Sequence, residues 1–478
     1  MALALDAGTV ACDVAAIEAL RAREYARLDA QGQVYLDYTG AGVYADSHVR
    51  AHLEMLGGQV FGNPHSTNPT SRAATAWAER ARASVLRFFA APPDEYTVIF
   101  TSNASGALKL VGEAFPFAPG SRLLLTADNH NSVNGIREFA RRRGARFRYL
   151  PLETPSLRVP ESALEAALAE TPRGGRSQAH LFAYPAQSNF SGVQHPLAWV
   201  PRARERGWTV LLDAAAFAPS NRLDVGRWQP DFVSLSFYKL FGYPTGVGCL
   251  IARREALARL CRPWFAGGTV TVATVGGDAH ALAEAEVAFE DGTIDFLGLP
   301  AVELGLRYMD QIGIDLVHDR VAWLTACLLE RLSALHHPGG APLVRIYGPT
   351  GPQGRGGTVA FSVLARDGAP VDHHQVEAAA SRCRTSLRSG CFCNPGCGEA
   401  ALGLSPDEIG RLFREVARPT PEALQQRLPG RATGAVRASL GIATVPRDID
   451  HLIALLQTFA DEPAMAGRDR APSGVAGR

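Results

Sequence analysis

The sequence predicts an α/β fold: a mostly parallel, helix-covered sheet in its larger part, with a smaller α+β part after it. Three observations carry this. Six short apolar runs, TVIFTS (97–102), RLLLTA (122–127), HLFAYP (180–185), TVLLDA (209–214), FVSLSF (232–237) and GCLIAR (248–253), alternate with helix-length segments between residues 95 and 255. Runs that are apolar throughout suit strands buried on both faces, which is how parallel sheets read. From about residue 303 the pattern changes to amphipathic helices, VELGLRYMDQIGIDLV (302–317) and RVAWLTACLLERLSAL (320–335), with strands TVAFSVL (358–364) and AVRASL (435–440). The 478 residues allow two or three domains, and no long linker divides them.

The elements follow in order. MALALDAGTVACDVAAIEAL (1–20) is apolar in patches but carries acids early and no basic start, so it reads as a surface helix rather than a targeting peptide. The basic stretch REFARRRGARFR (137–148) reads as a solvated helix face leading into a strand, since no general basic excess reinforces it. GPTGPQGRGG (348–357) is a loop, and the small, polar residues from about 463 onward are expected to be disordered. Apolar residues make up 46% and charged residues 20%, with a net charge of +1. That balance gives no reason to propose nucleic acid or an anionic membrane as partner, and no apolar run approaches the roughly 20 residues of a membrane span. A cytoplasmic enzyme is expected.

Only two lysines occur, Lys109 and Lys239. Lys239 lies in SFYKLFGYPTGVG (236–248), where an apolar strand-like run reaches a hydroxyl-bearing turn and a Gly/Pro-rich loop, a place to hold a cofactor rather than to build a helix. An amine held in a pocket can lose its proton and form a Schiff base with a carbonyl cofactor. The competing reading is that arginine-rich coding replaced surface lysines and these two survived by chance. VLLDAAAF (210–217) reads as a buried strand ending on Asp213, and the carboxyl ends of strands are where open α/β sheets place ligands. Asp213 either holds a pyridinium nitrogen, as expected of a pyridoxal phosphate (PLP) site, or caps the next segment.

Ten segments in order identify the family the chain resembles: YLDYTGAG (35–42), GNPHSTN (62–68), TSNASGAL (101–108), DNHNSVNGIRE (128–138), QSNFSG (187–192), LLDAAAF (211–217), SFYKLFGYPTGVG, FEDGTIDFLGLPA (289–301), SGCFCNPGC (389–397) and VRASLGI (436–442). They resemble the class V aminotransferase group of fold-type I PLP enzymes, specifically the cysteine desulfurases, and most closely the desulfurase-like domain of molybdenum cofactor sulfurases. GCFCNPG and FYKLFGYPTG point to the sulfurase branch. The resemblance implies an N-terminal arm (1–55) contributing to a small domain, a large PLP-binding domain (56–302), a small C-terminal domain with a cysteine loop (303–462) and a disordered tail (463–478).

It also implies roles, position by position. Lys239 would carry the Schiff base, Asp213 would pair with the pyridine nitrogen, and His130 would stack on the ring. Ser105 and the backbone amides around Ala104 to Gly106, at the start of an expected helix, would hold the phosphate, with Ser236 adding a hydroxyl. Tyr238 stands where many desulfurases have His, and Ala216 where they have Gln, which enlarges the role of Asn189, expected to reach the ring's phenolic oxygen. Arg437 would take the substrate carboxylate through its planar fork. Thr293, in a DGT turn, would meet the phosphate of a neighbouring subunit, so a homodimer is implied. The implied reaction converts L-cysteine to L-alanine and leaves a persulfide on an active-site cysteine. Because the domain that follows in eukaryotic sulfurases has no room here, either a separate sulfur-acceptor protein receives the sulfur or the acceptor is something else.

The cysteine loop offers Cys391, Cys393 and Cys397 at C-x-C-x3-C, with Asn394, Pro395 and Gly396 enforcing a turn. A structural zinc site usually takes four ligands with paired spacing, no second pair appears, and His373 and His374 are too few, so no metal is expected. Eight cysteines in a chain of this length are sparse for a disulfide scaffold. A thiolate nucleophile on a mobile loop remains, and the resemblance places it at Cys393, with Arg388, Arg384 and Arg437 as candidates to favour the thiolate. The last cysteine of the sulfurase pattern falls one residue beyond Cys397. Cys12, Cys249, Cys261, Cys327 and Cys383 read as small buried hydrophobes. Two rival functions are a PLP carbon–sulfur lyase acting on a cysteine conjugate and a non-catalytic sulfur-carrier scaffold.

Overall fold

The computed structural model describes residues 14–170, 178–416, 420, 427 and 431–461. Cys12 and the tail 463–478 lie outside these, as do residues 1–13; the helix Val14–Glu24 follows them.

A two-residue strand β1 (Val34–Tyr35) precedes a seven-stranded sheet of β2 (Tyr96–Thr101), β3 (Arg122–Thr126), β4 (Arg146–Leu150), β5 (His180–Pro185), β6 (Trp208–Asp213), β7 (Phe232–Ser236) and β8 (Gly248–Arg253). Its spatial order is β2-β8-β7-β6-β5-β3-β4, with β8 antiparallel to both neighbours and the remaining pairs parallel. The apolar runs are strands because each buries both faces. In β5, Phe182 and Tyr184 point into one hydrophobic cluster, while Leu181 and Ala183 point into another on the opposite face. Val210 and Leu212 against Leu211 in β6 repeat this split. A period of two thus distributes one continuous apolar run over two helix layers. Truncating Phe182, which is fully buried, to Ala would cost about 3–5 kcal/mol.

A hairpin of β9 (Val270–Ala273) and β10 (His280–Leu282) follows, largely exposed. The C-terminal part holds an antiparallel sheet in the order β11-β12-β15-β14, from β11 (Val344–Tyr347), β12 (Thr358–Val363), β14 (Arg388–Gly390) and β15 (Ala435–Ser439). Strand β13 (Thr385–Ser386) pairs in parallel with β1, and Asp37 bridges to Ser439, so the N-terminal segment is tied to this sheet.

Two elements depart from the sequence reading. The amphipathic segment 302–317 is not one helix: Leu299–Ile312 ends at Gly313, whose φ of +88° only glycine adopts freely, and Ile314–Ser333 begins after it. The stretch around Lys239 is helical after all. Phe237–Phe241 makes one short turn of helix, stopped by Gly242 at φ +83°, because Phe237, Leu240 and Phe241 all have core to enter. The basic stretch 137–148 divides as expected between the helix Ile136–Arg142 and β4.

Candidate active site

The site forms where the C-terminal ends of five strands converge. Chain leaving β2 supplies Asn103 to Ser105, and chain leaving β3 supplies His130. Past β5 come Gln187 and Asn189, β6 ends on Asp213, and β7 runs into Tyr238 and Lys239. These residues line a cavity of about 150 Å³. In an open α/β sheet this edge is the ligand-binding edge, because backbone groups left unpaired there face a crevice.

Asp213 is buried, and its Oδ1 accepts from the Ala215 amide (3.1 Å) and the Ser234 hydroxyl (3.1 Å). Oδ2 accepts nothing among the described residues. Lys239 lies in the same cavity. Burial pushes its ammonium below the ordinary 10.5, Arg437 and Arg388 push the same way, and Asp213 and Asp37 oppose them. Burial also lowers the pKa of His130, with Lys239 and Arg437 adding to the effect against Asp213. His130 Nδ1 accepts the Ser132 amide (3.1 Å), which leaves the proton of the neutral ring on Nε2.

Helix Ala104–Ala114 begins at the cavity, capped by Asn103, whose side chain accepts from the Gly106 amide (3.0 Å). The Ala104 amide donates to Ser236 Oγ (2.9 Å). Two of the three amides expected to cradle a phosphate therefore already have acceptors. What faces the cavity is a set of hydroxyls, Ser105, Ser132 and Ser236, backed by the helix dipole, with Ser105 Oγ 2.6 Å from Ser132 Oγ. Ser132 was missed by the sequence reading; its only signal was a hydroxyl two residues after His130.

Asn189 lines the cavity, and its amide is engaged by the cysteine loop. Its Nδ2 donates to the Phe392 carbonyl (2.7 Å), and its Oδ1 accepts from Asn394 Nδ2 (2.9 Å), so both ends of the amide hold the cysteine loop. Asn394 Nδ2 also donates to the Asp128 carbonyl (2.6 Å), and the Asn131 amide donates to the Cys393 carbonyl (2.7 Å). The thiol-bearing loop is thereby fastened to the turn that carries His130. Cys393 itself is exposed, and both it and Phe392 have φ +54°.

The rest of the loop differs from a simple turn. Asn394 caps the helix Pro395–Leu402, accepting from the Cys397 amide (3.2 Å), with Pro at the first position where its missing N–H costs nothing. Cys397 is buried and Cys391 half-buried, and burial raises both thiols well toward the protonated form. Cys249 is buried as expected and Cys327 partly so, but Cys261 and Cys383 are exposed, because they sit where elements end at the surface.

Arg437 is buried on β15. Nη1 donates to the Asn189 carbonyl (3.0 Å), Nη2 donates to Asp37 Oδ1 (2.8 Å), and the guanidinium lies 4.8 Å from the Phe392 ring centroid. Asp37 also takes a two-pronged contact from Arg388. Arg384, by contrast, donates to the Gln31 carbonyl (2.8 Å). Thr293 does not enter this cavity. It lines a larger one of about 430 Å³ across helix Ala104–Ala114, with Lys109, Glu113 and Asp291, and accepts from Asn63 Nδ2 (3.3 Å). That space is bigger but lacks Lys239 and Asp213, so the smaller cavity is the chemical one. Among the described residues Asp372, His373 and His374 bring ligand atoms within 4.8 Å of one another, but Asp372 Oδ1 already caps the following helix at the His374 amide (2.9 Å), and no loop cysteine joins them.

A profile of the class-V aminotransferases matches residues 34–452. The chain belongs to the class-V aminotransferase family. Molybdenum cofactor sulfurases from Bos taurus and Solanum lycopersicum are each 36% identical to it, over 90% of this chain and 50% and 56% of theirs. The chain therefore spans about half the length of these relatives. In three dimensions it is similar to an apo cysteine desulfurase from Thermococcus onnurineus NA1 (TM-score 0.76, 23% identity, 93% of this chain and 98% of that one). The cysteine desulfurase CsdA from Escherichia coli gives a TM-score of 0.72 at 22% identity, again over 93% of this chain and 98% of that one. These likenesses confirm the fold class.

Pyridoxal phosphate is the cofactor of this family. The residues fit it. An amine whose proton is weakened by burial, a carboxylate with one oxygen uncommitted, an imidazole and a three-hydroxyl cradle at a helix start match the aldehyde, pyridine nitrogen, ring face and phosphate in turn.

Proposed function

We propose that the protein is a PLP-dependent cysteine desulfurase of the sulfurase type, converting L-cysteine to L-alanine and leaving the sulfur as a persulfide on Cys393. One observation carries this: the loop bearing an exposed thiol is tied by the Asn131–Cys393 and Asn189–Phe392 hydrogen bonds to the rim of the cavity that holds Lys239 and Asp213.

The proposed division of labour follows from position. Lys239 would hold the cofactor and move the proton at the substrate's Cα, a task for an amine whose hold on its own proton burial weakens. Asp213 would keep the pyridine nitrogen protonated, and His130 would stack against the ring. PLP, when bound, supplies the electron sink that makes Cα acidic. Arg437 orients the substrate carboxylate. The Cys393 thiolate attacks the substrate's sulfur. The S–S bond forms as the C–S bond breaks, and the carbon keeps the electron pair and takes a proton, so one thiol and one cysteine give a persulfide and alanine. Ser105, Ser132 and Ser236 would hold the phosphate, with Ala104 and Gly106 shaping the helix start, and Tyr238 flanks Lys239. Asn189 acts chiefly on the loop.

A homodimer is part of the proposal. The β9–β10 hairpin and its flanks leave Val272, Val275, Val287 and Trp264 exposed, Val275 completely, and a second copy seated there would cover them and bring Thr293 toward the partner's phosphate. The sulfur then passes to a separate acceptor protein at the exposed Cys393. A thiol that must stay reduced suits the cytoplasm. No helix among the described residues is long and apolar enough to cross a membrane.

The test is to incubate the purified, PLP-loaded protein with L-cysteine and quantify alanine, pyruvate and sulfide together. Alanine supports desulfuration. Pyruvate with ammonia and no alanine would replace it with a carbon–sulfur lyase, the activity named for the similar cystine C–S lyase C-DES (TM-score 0.66, 20% identity, 90% of this chain and 97% of that one).

A further inference from the structure

Arg388 and Arg437 are register partners on the antiparallel strands β14 and β15. Like charges placed directly opposite each other repel, so this pair needs a counter-ion. Asp37, buried and delivered by the N-terminal segment, is that ion: Oδ1 accepts from Arg437 Nη2 (2.8 Å) and Arg388 Nε (3.2 Å), while Oδ2 accepts from Arg388 Nη2 (2.6 Å) and Nε (3.0 Å). The space is built for it. A Cβ on Gly40 would fall 2.5 Å from Asp37 Oδ2 and 2.6 Å from Arg388 Nη2, so only glycine at 40 lets the pair close. Among the described residues Arg437 Nε is buried without a hydrogen-bond partner, so this guanidinium holds capacity in reserve. Arg388 is half-exposed and interacts electrostatically with Cys393.

We propose that Asp37 is a resident carboxylate occupying the seat between Arg388 and Arg437, which an incoming substrate carboxylate must take from it. On arrival of substrate, Asp37 gives up Arg437 and stays on Arg388, where its two-pronged contact already lies. Asp37 is thus a positioning and specificity residue: it holds the two arginines together when the seat is empty and sets how tightly a carboxylate binds. This rests on the reading that Arg437 receives the substrate's carboxylate.

The test uses the full PLP-loaded chain and two measurements, KM for L-cysteine and the ratio of alkylation rates of Cys393 by iodoacetate and iodoacetamide, scored on the Cys393 peptide by mass spectrometry. Iodoacetate carries a carboxylate and its amide does not, so the ratio reports the charge of the seat whether or not the protein turns over. Asp37→Asn is expected to raise the ratio at least about threefold and to lower KM by a similar factor. Arg388→Gln, which leaves Asp37 on Arg437 alone, is expected to move both in the opposite direction, and Asp37→Glu to restore wild-type values. An unchanged ratio in Asp37→Asn, or a KM that rises there, overturns the proposal; should that variant not fold, Arg388→Gln decides, and an unchanged ratio or a KM that falls in it overturns the proposal. A raised ratio in a protein that yields no alanine keeps the seat and instead faults the desulfurase reading.

Discussion

Asn394 gives the most direct access to the link between loop and cavity. Its side chain is fully buried and makes three hydrogen bonds, to the Asp128 carbonyl, to Asn189 Oδ1 and from the Cys397 amide, joining the loop, the strand ends and the start of the helix Pro395–Leu402. Asn394→Ala removes all three. At about 1 kcal/mol net for each bond, the loss is about 3 kcal/mol. If that falls on the docked position of the loop, its population relative to an undocked loop drops by about 100-fold, since 1.4 kcal/mol is a factor of ten. Lys239, Asp213 and the cradle hydroxyls make none of these three bonds. Asn394→Ala should therefore retain PLP absorbance while persulfide formation on Cys393, followed by mass spectrometry after mixing with L-cysteine, slows by one to two orders of magnitude. Wild-type persulfide formation in this variant would refute the claim that the asparagine network places the thiol. Loss of PLP together with the thermal transition would show that the network supports the whole fold rather than the loop.

Four further outcomes are expected. Lys239→Ala should abolish the visible cofactor band while Lys109→Ala keeps it, and bleaching by the second change would refute the assignment. Because the folded-state pKa of Lys239 lies below 10.5, the folded chain holds fewer protons there than the unfolded chain, so this residue's contribution to stability rises with pH through the window that closes at 10.5, and the rate of PLP uptake by apoprotein should rise with a midpoint below that value; a midpoint at or above it contradicts the burial argument. Cys393→Ser should keep PLP but form no protein persulfide and little alanine, whereas Cys391→Ser and Cys397→Ser keep substantial activity, as expected of thiols that burial holds protonated; normal turnover by Cys393→Ser would hand the function to the lyase reading. Val275→Asp should shift sedimentation from dimer to monomer by burying a charge in the proposed interface, and an unchanged dimer would place the interface elsewhere.

Much of this was legible in the sequence. The six apolar runs become strands of the large sheet because burial on both faces leaves an unbroken apolar signature, and Asp213 could be placed at a strand end from one acid closing such a run. What could not be read were contacts of long sequence separation. Asp37 meets Arg437 across 400 positions, and Asn394 meets Asp128 across 266; nothing in the local pattern of either announces its partner. The short helix at Lys239 was misread because Gly and Pro follow it closely, yet the buried faces of Phe237 and Phe241 outweigh that punctuation. Asn189 was expected at the cofactor ring. It lines that cavity, and its amide also satisfies a loop whose fold depends on residues two hundred positions away.

Phe392 and Cys393 both take left-handed backbone conformations, at φ +54° each. For a residue with a Cβ this conformation costs about 1–2 kcal/mol relative to glycine. Phe392 has a return on it, since its ring packs against Phe190 (centroids 5.2 Å apart) and covers Arg437. Cys393 has none of that kind: its side chain is exposed, and the only service it renders is the sulfur. Chemistry and folding therefore pull in opposite directions at this one position. With Cys393 as the proposed nucleophile, a chain released from the need for a thiol would drift there toward glycine and melt at a higher temperature for having lost its reaction.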